Sequence, residues 1–365
     1  MLSARLLAKA GCDVTIIEQG YAGKESSWAG GGIISPLYPW RYDDAVSQLA
    51  LWSQKHYPQL LDDIKQETGI DPEYTQSGLL YLDINEELEQ AKAWINKYGY
   101  QLEDLQEKQL LKVEPSLNKN NSQGWFTASI GQVRNPRLVR SFKRMLELNP
   151  NINLQQNTQM TDLIIKNNQV IGIKTNQGDF FAKQVIIAGG AWSAKLLDGL
   201  IEVPRIAPVK GQMIVFKAPP QLVTRIVLSK GRYVIPRLDG HVVLGSTLEF
   251  KDFDKTTSEQ TLEELKQEAI RIIPALANYP IEKQWAGLRP GSIDGIPYIG
   301  EHPQLKNLFI NAGHFRNGVV IGYASCELLK NLILDQQPIL NPAPYQLSQE
   351  RMLSRSADID LKGAI

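Results

Sequence analysis

The stretch Leu2-Ser3-Ala4-Arg5-Leu6-Leu7-Ala8-Lys9-Ala10-Gly11-Cys12-Asp13-Val14-Thr15-Ile16-Ile17-Glu18 decides how the fold is read. Leu2, Leu6 and Leu7 share one face of a helical wheel, alanines fill other positions, and Gly11 stands where a helix stops. Val14-Thr15-Ile16-Ile17 is an apolar, β-branched run of strand length, and it ends in the acidic Glu18. Helix, short turn, strand and acid form the second half of a dinucleotide-binding βαβ unit. The first half of such a unit is a strand and a G-x-G-x-x-G turn, about 20 positions before the acid. Counting back from Glu18 places that turn at or before Met1. The alternative reading of Glu18 is a solvated charge at a strand end.

Beyond this stretch, Ser26-Ser27-Trp28-Ala29-Gly30-Gly31-Gly32-Ile33 is a Gly-rich loop. Three consecutive glycines let the backbone approach a bulky ligand or take positive φ, and the flanking Trp28, Ile33 and Ile34 make the loop semi-buried. Residues from about Asp43 to Thr68 read as long helices. Gly78–Asp83 reads as a strand and Glu86–Tyr98 as an amphipathic helix. Residues Lys183–Ser193 read as strand, Gly turn and helix, a second place where backbone N–H groups can face a phosphate or ring. Gln212–Phe216, Tyr233–Pro236 and His241–Leu244 alternate like antiparallel strands, and Asp239-Gly240 between the last two is a hairpin signal. Glu259–Ile272 reads as helix. Leu308–Ala312 reads as a strand leading into Gly313-His314-Phe315-Arg316-Asn317-Gly318-Val319, which opens a helix running to about Leu334. From Pro338 onward the chain reads as a tail. The pattern is an α/β fold, a parallel layer interrupted by antiparallel insertions that fold into a second domain, with the site in the cleft between them.

Composition bounds the partners. Of 365 residues, 43% are apolar and 21% charged, which excludes a disordered or fibrous chain. Lys plus Arg equals Asp plus Glu at 39 each, so no basic excess favours nucleic acid or an anionic membrane surface. The two cysteines, Cys12 and Cys326, exclude a disulfide scaffold and fit a reducing compartment. Neither lies in a Cys/His cluster, so no metal site is expected. No apolar run has the length of a membrane span, and the start lacks the pattern of a secretory signal. The expectation is a cytoplasmic enzyme.

Three motifs carry a resemblance: Ser27-Trp28-Ala29-Gly30-Gly31-Gly32, Trp285-Ala286-Gly287-Leu288-Arg289-Pro290-Gly291, and Gly313-His314-Phe315-Arg316-Asn317-Gly318. In this order, and over nearly the whole chain to about residue 335, the sequence resembles the flavin-dependent amine oxidases of the D-amino acid oxidase family. The resemblance implies FAD, a Rossmann-like FAD domain (1–75, 135–205 and 286–340), an antiparallel substrate domain (76–134 and 206–285) and a C-terminal tail (341–365). It implies that Glu18 and Gln19 bind the adenosine ribose. Ser26, Ser27, Gly31, Gly32 and Ile33 would line the pyrophosphate and flavin, and Thr161 would meet the adenine through its backbone. His314, Phe315, Arg316, Asn317, Gly318, Val319 and Val320 would wrap the flavin ring. Arg289 would hold the substrate carboxylate, Tyr233 would hydrogen-bond to it, and Arg316 would lie near both substrate and flavin.

The activity implied is oxidative deamination of glycine and other small amines or D-amino acids. Its products are the imine or α-keto acid, ammonia and hydrogen peroxide, with iminoacetate supplied for thiamine thiazole synthesis. The partners implied are a small amino acid, molecular oxygen and copies of the same chain in a tetramer. Arg289 follows Gly287 and precedes Pro290-Gly291, so its backbone is expected in a stiff turn. For a lone Arg the ordinary alternative is a surface salt bridge, and for Tyr233 a cross-strand aromatic. His314 is expected to line the flavin only. The competing expectations are a D-amino acid dehydrogenase that passes electrons to a quinone, and a truncated, non-enzymatic remnant. The second is raised by one departure from the family, the first strand and Gly-rich turn, for which the expectation is a start placed too late or a truncated gene product. In-frame upstream codons for an apolar strand and G-x-G-x-x-G would support that expectation, and a stop codon directly upstream would oppose it.

Overall fold

The computed structural model describes residues 1–200 and 202–354. The opening stretch folds as its pattern predicts. Leu2–Lys9 is a helix that buries Ala4, Leu6, Leu7 and Ala8. Gly11 takes φ +89°, and the Cys12 N–H donates back to Leu7 O at 3.0 Å, closing the helix end. Val14–Ile17 follows as a strand and pairs in parallel with Ile152–Gln155. A second parallel pair joins Val185–Ile187 to Leu308–Ala312, with Tyr298–Glu301 antiparallel on the far side. These two parallel pairings lie in separate small sheets.

The largest sheet has eight strands and draws on two distant parts of the sequence. Leu79–Tyr81, Glu103–Gln106 and Gln123–Thr127 come from one, and five strands between Ile206 and Ser292 from the other. They join where Ile226–Ser229 runs parallel to Leu79–Tyr81, the sheet's one parallel pairing. The Asp239-Gly240 hairpin forms as expected between Arg232–Pro236 and His241–Gly245. Gly240 has φ +90°, and a Cβ there would stand 2.2 Å from Ala218 O, so only glycine fits this turn. Helix Glu259–Ile272 packs on this sheet, with Ser258 Oγ accepting from the Thr261 N–H.

Some local readings change. The expected helices from Asp43 to Thr68 are one 25-residue helix, Asp44–Thr68, continuous through Pro58. Its buried Leu49, Leu60, Leu61 and Ile64 belong to the same core as Val320, Ile321 and Leu328 of helix Gly318–Ile333, and this packing holds it together past the proline. Arg289 is not in a turn. It lies within the 12-residue strand Ile281–Ser292, opposite Val209 of the equally long strand Ile206–Lys217. Pro290 is tolerated because this strand is the sheet's edge, where one face of the ladder has no partner to bond. The boundary expected at 285/286 falls inside this continuous strand.

Residues 341–354, grouped with the tail, are packed on the body. Tyr345 is fully buried and donates to Ala45 O at 2.8 Å, and Met352–Ser354 pairs with Glu202–Pro204. The rest of that segment, 355–365, lies outside the described residues. Among the described residues no helix is long and apolar enough to cross a membrane.

Candidate active site

Five pieces of chain converge at the eight-stranded sheet. Ser26–Ala29, read as part of a loop, is one helical turn, and Gly30-Gly31-Gly32 follows it. Gly32 has φ +83°, and a Cβ there would be 2.0 Å from Val133 O. Gly31 lies against Tyr233 and Ile235, where a Cβ would approach Ile235 Cδ1 to 2.7 Å. Asn135 Nδ2 donates to Ser27 O at 2.8 Å, and Trp285 Nε1 donates to Ala29 O at 3.0 Å. Gly291 bridges His314, which brings the third motif against the second. A Cβ added at Gly30 would stand 4.0 Å from Val319 Cγ2, at the start of helix Gly318–Ile333.

Arg289 sits at the centre of this junction, partly buried. Its Nη2 donates to Ser246 Oγ at 2.5 Å and its Nη1 to Thr247 O at 3.3 Å. The charge of Arg316 also acts on it. Burial, and then the neighbouring Arg316 charge, push the Arg289 guanidinium below its ordinary pKa, against the raising influence of Tyr233. Among the described residues neither Arg289 nor Arg316 has a carboxylate within ion-pair distance. A partly buried guanidinium with no carboxylate partner among the described residues, under the further positive field of Arg316, is suited to receive an anion.

His314 is partly buried, and desolvation lowers its pKa to about 4, so the ring is neutral at physiological pH. Phe315 takes φ +44° and is buried, and Asn317 is buried too. Ile33 and Val320 are buried, and Gly318 is exposed at the mouth of its helix.

A second cluster lies at the end of the Val14–Ile17 strand. Glu18 Oε1 accepts from the Gly20 N–H at 2.8 Å, and Glu18 O accepts from Thr158 N–H at 2.9 Å. Gln19 is exposed beside it. Thr161, a few residues past Thr158, drops out of the ladder register between Met160 and Asp162, as a bulge residue does. Glu18, Gln19 and Thr161 are thus neighbours through segment 157–161, apart from the Arg289 cluster.

Sequence reasoning missed several members of the site. Arg237 is buried, and it donates to Gly31 O at 2.8 Å, Val133 O at 2.9 Å and Gln132 Oε1 at 2.7 Å. Burial brings its pKa down to about 10. It ties the Gly-rich segment to the sheet, and no local pattern announces it. Gly211 had a signal, an isolated glycine inside an alternating strand, which marks close approach of another group. That group is Arg289, whose Nη atoms would be 2.3 Å from a Cβ at Gly211.

The pocket suits a large group that supplies both hydrogen-bond donors and acceptors. Asn135 Oδ1, Asn317 Nδ2 and Ser292 Oγ are buried without a partner, and all lie on the converging segments. They fit a bound dinucleotide whose polar atoms satisfy them, while Gly30–Gly32 let their segment pack closely on Val133, Asn135, Tyr233 and Ile235. The family model for FAD-dependent oxidoreductases of the DAO type matches residues 1–332.

The chain belongs to the DAO family of FAD-dependent oxidoreductases.

FAD is accordingly the cofactor of this DAO-family chain. Glycine oxidase of Pseudomonas aeruginosa is 44% identical to it over 94% of each chain. Glycine oxidase of Pseudomonas putida is 45% identical over 93% of each. The crystal structure of glycine oxidase from Geobacillus kaustophilus superposes with a TM-score of 0.87 at 27% identity, covering 92% of each chain. The eight-stranded sheet and the two small parallel pairings are the DAO-family α/β architecture that the motifs implied.

Proposed function

We propose that this chain oxidatively deaminates glycine and other small amines or D-amino acids with oxygen as acceptor, giving an imine that hydrolyses to the α-keto acid and ammonia. The observation that carries the reading is the Arg289 guanidinium, held by Ser246 Oγ and Thr247 O over the bare backbone of Gly211 and without a carboxylate partner among the described residues. The glycine oxidases of both Pseudomonas species support the choice of substrate.

In this reading Arg289 binds the substrate carboxylate with its fork, which fixes both position and angle. Tyr233 adds a hydroxyl to the same carboxylate. A Cβ on Gly31 would come within 3.2 Å of its ring and one on Gly245 within 2.7 Å, so two glycines leave room for it. Arg316 adds positive charge on the substrate side. Neutral His314 adds none. Bound FAD supplies the acceptor for the hydride from the substrate Cα, and its reoxidation by oxygen yields hydrogen peroxide. No side chain is assigned as a base, so the work of Arg289 and Tyr233 is orientation.

The residues that would hold the cofactor are Glu18 and Gln19 at the ribose, Thr161 at the adenine, and Ser26, Ser27, Gly31, Gly32 and Ile33 along the pyrophosphate and flavin. His314 to Val320 surround the ring. Residues 1–75, 135–205 and 286–340 would then serve the cofactor, and the eight-stranded sheet the substrate. We also place the chain in the cytoplasm, as a homo-oligomer supplying the imine to thiamine thiazole synthesis. Both cysteines are free, as a reducing compartment requires.

The test is direct. The purified chain with FAD and glycine should consume oxygen and form hydrogen peroxide in equal amounts, with ammonia released. Reduction of an artificial dye with no oxygen uptake would favour the quinone-linked dehydrogenase, and failure to retain FAD the inert remnant.

A further inference from the structure

We propose that Ser246 is a positioning residue for the substrate carboxylate, acting through Arg289. This rests on the reading of Arg289 as the carboxylate anchor. Arg289 has five N–H donors. Two of them are committed to the Gly245–Glu249 segment, through Ser246 Oγ and Thr247 O. The rest of the fork is left for an incoming anion.

The segment that presents Ser246 is itself held from several sides. Arg232 Nη1 donates to Ser246 O. Thr247 Oγ1 accepts from the Gln212 N–H at 2.8 Å and donates to Glu249 Oε1 at 2.6 Å. Gln212 Nε2 reaches the same carboxylate oxygen at 2.9 Å. Buried Lys210 holds Asp254 at 3.2 Å and Glu249 at 3.8 Å. Ser246 is only 5% exposed, so its hydroxyl sits at a fixed point above strand Ile206–Lys217.

The residue type matters. Arg289 is repelled by Arg316, and without acceptors on its inner side the guanidinium would swing away from that charge. A carboxylate at position 246 would hold it more strongly, but would neutralise the charge the substrate needs. A hydroxyl accepts from Nη2 and leaves the cation unpaired. Its own proton has no acceptor among the described residues.

The experiment compares Ser246→Ala, Ser246→Thr and Ser246→Asp with the wild-type holoenzyme. Glycine turnover is measured at steady state, and acetate, as a bare carboxylate probe, is titrated by calorimetry. Loss of a hydrogen bond to a charged group predicts that Ser246→Ala raises KM for glycine and Kd for acetate by about tenfold to a hundredfold. The change should fall on KM rather than kcat, and Ser246→Thr, which keeps the hydroxyl, should restore most of the affinity. Ser246→Asp should abolish acetate binding while the fold is retained. Wild-type acetate affinity in Ser246→Ala or in Ser246→Asp overturns the inference, and the second result decides the matter even where the alanine variant does not fold. If wild-type protein neither oxidises glycine nor binds acetate, the reading of Arg289 falls instead.

Discussion

The guanidinium of Arg289 is packed on the backbone of Gly211. The two strands run antiparallel with Val209 opposite Arg289 and Gly211 opposite Gly287, so the side chain reaches back along its own ladder to a position with no Cβ. A Cβ at Gly211 would stand 2.3 Å from both Nη1 and Nη2. Gly211→Ala should therefore displace the fork and leave the sheet intact. The expected outcome is a KM for glycine raised between about tenfold and a hundredfold, the size of effect produced by an ångström of misplacement. Steady-state kinetics beside a thermal melt checks it; a large loss of Tm with normal KM would show that the glycine serves packing only.

Arg289→Ala removes the anchor itself. KM for glycine should rise by about two to three orders of magnitude, as expected when a buried charge pair loses one partner. Stability should rise or stay unchanged, because the variant also removes a partly buried cation that has no carboxylate partner among the described residues and is repelled by Arg316. Glycine kinetics and urea unfolding of the same preparation check both halves.

Arg237→Met should behave differently, costing stability first. It strands three acceptors, Gly31 O, Val133 O and Gln132 Oε1, in a buried place. The expected loss is about 2–4 kcal/mol in urea unfolding, with weaker retention of FAD because the Gly31 segment loses its tie. A stability within experimental error of wild type would remove Arg237 from this role.

His314 gives a pH prediction. Its pKa is lowered from 6.5 to about 4 by burial, so folding favours the neutral ring. The unfolded chain binds a proton below pH 6.5 that the folded chain refuses until about pH 4. This contribution to stability is therefore complete above pH 6.5 and is lost as the pH falls towards 4, by about 3 kcal/mol at most. In His314→Gln the fall in unfolding free energy across that window should be shallower. Identical slopes in the two proteins would show that the ring titrates freely in the fold.

Much of the fold was legible because its signals are local. The Leu2–Lys9 helix, the Val14–Ile17 strand, the Glu259–Ile272 helix and the Leu308–Ala312 strand follow periodicity and punctuation within a few residues. The Asp239-Gly240 hairpin follows from turn chemistry alone. The cradle at Gly30–Gly32 was visible as three glycines between apolar neighbours. Pro58 inside a long helix and the strand through Pro290 were not, because packing at a distance overrides a local breaker.

What the sequence determined by itself is the set of elements and the residue types that chemistry needs: a glycine cradle, a tyrosine, two arginines and an acid after a strand. Only the tertiary structure decided their surroundings. Arg289 owes its place to Val209, Gly211 and Ser246, each separated from it by some forty to eighty residues of chain. Arg237 owes its role to Gly31, and Tyr345 its burial to Ala45. Propensity acts over a few residues of backbone, whereas desolvation of a charge and pairing of a strand depend on whatever folding brings alongside. The same Arg289 would be a solvated surface charge in another fold. Here partial burial, with no carboxylate partner among the described residues, suits it to an anion.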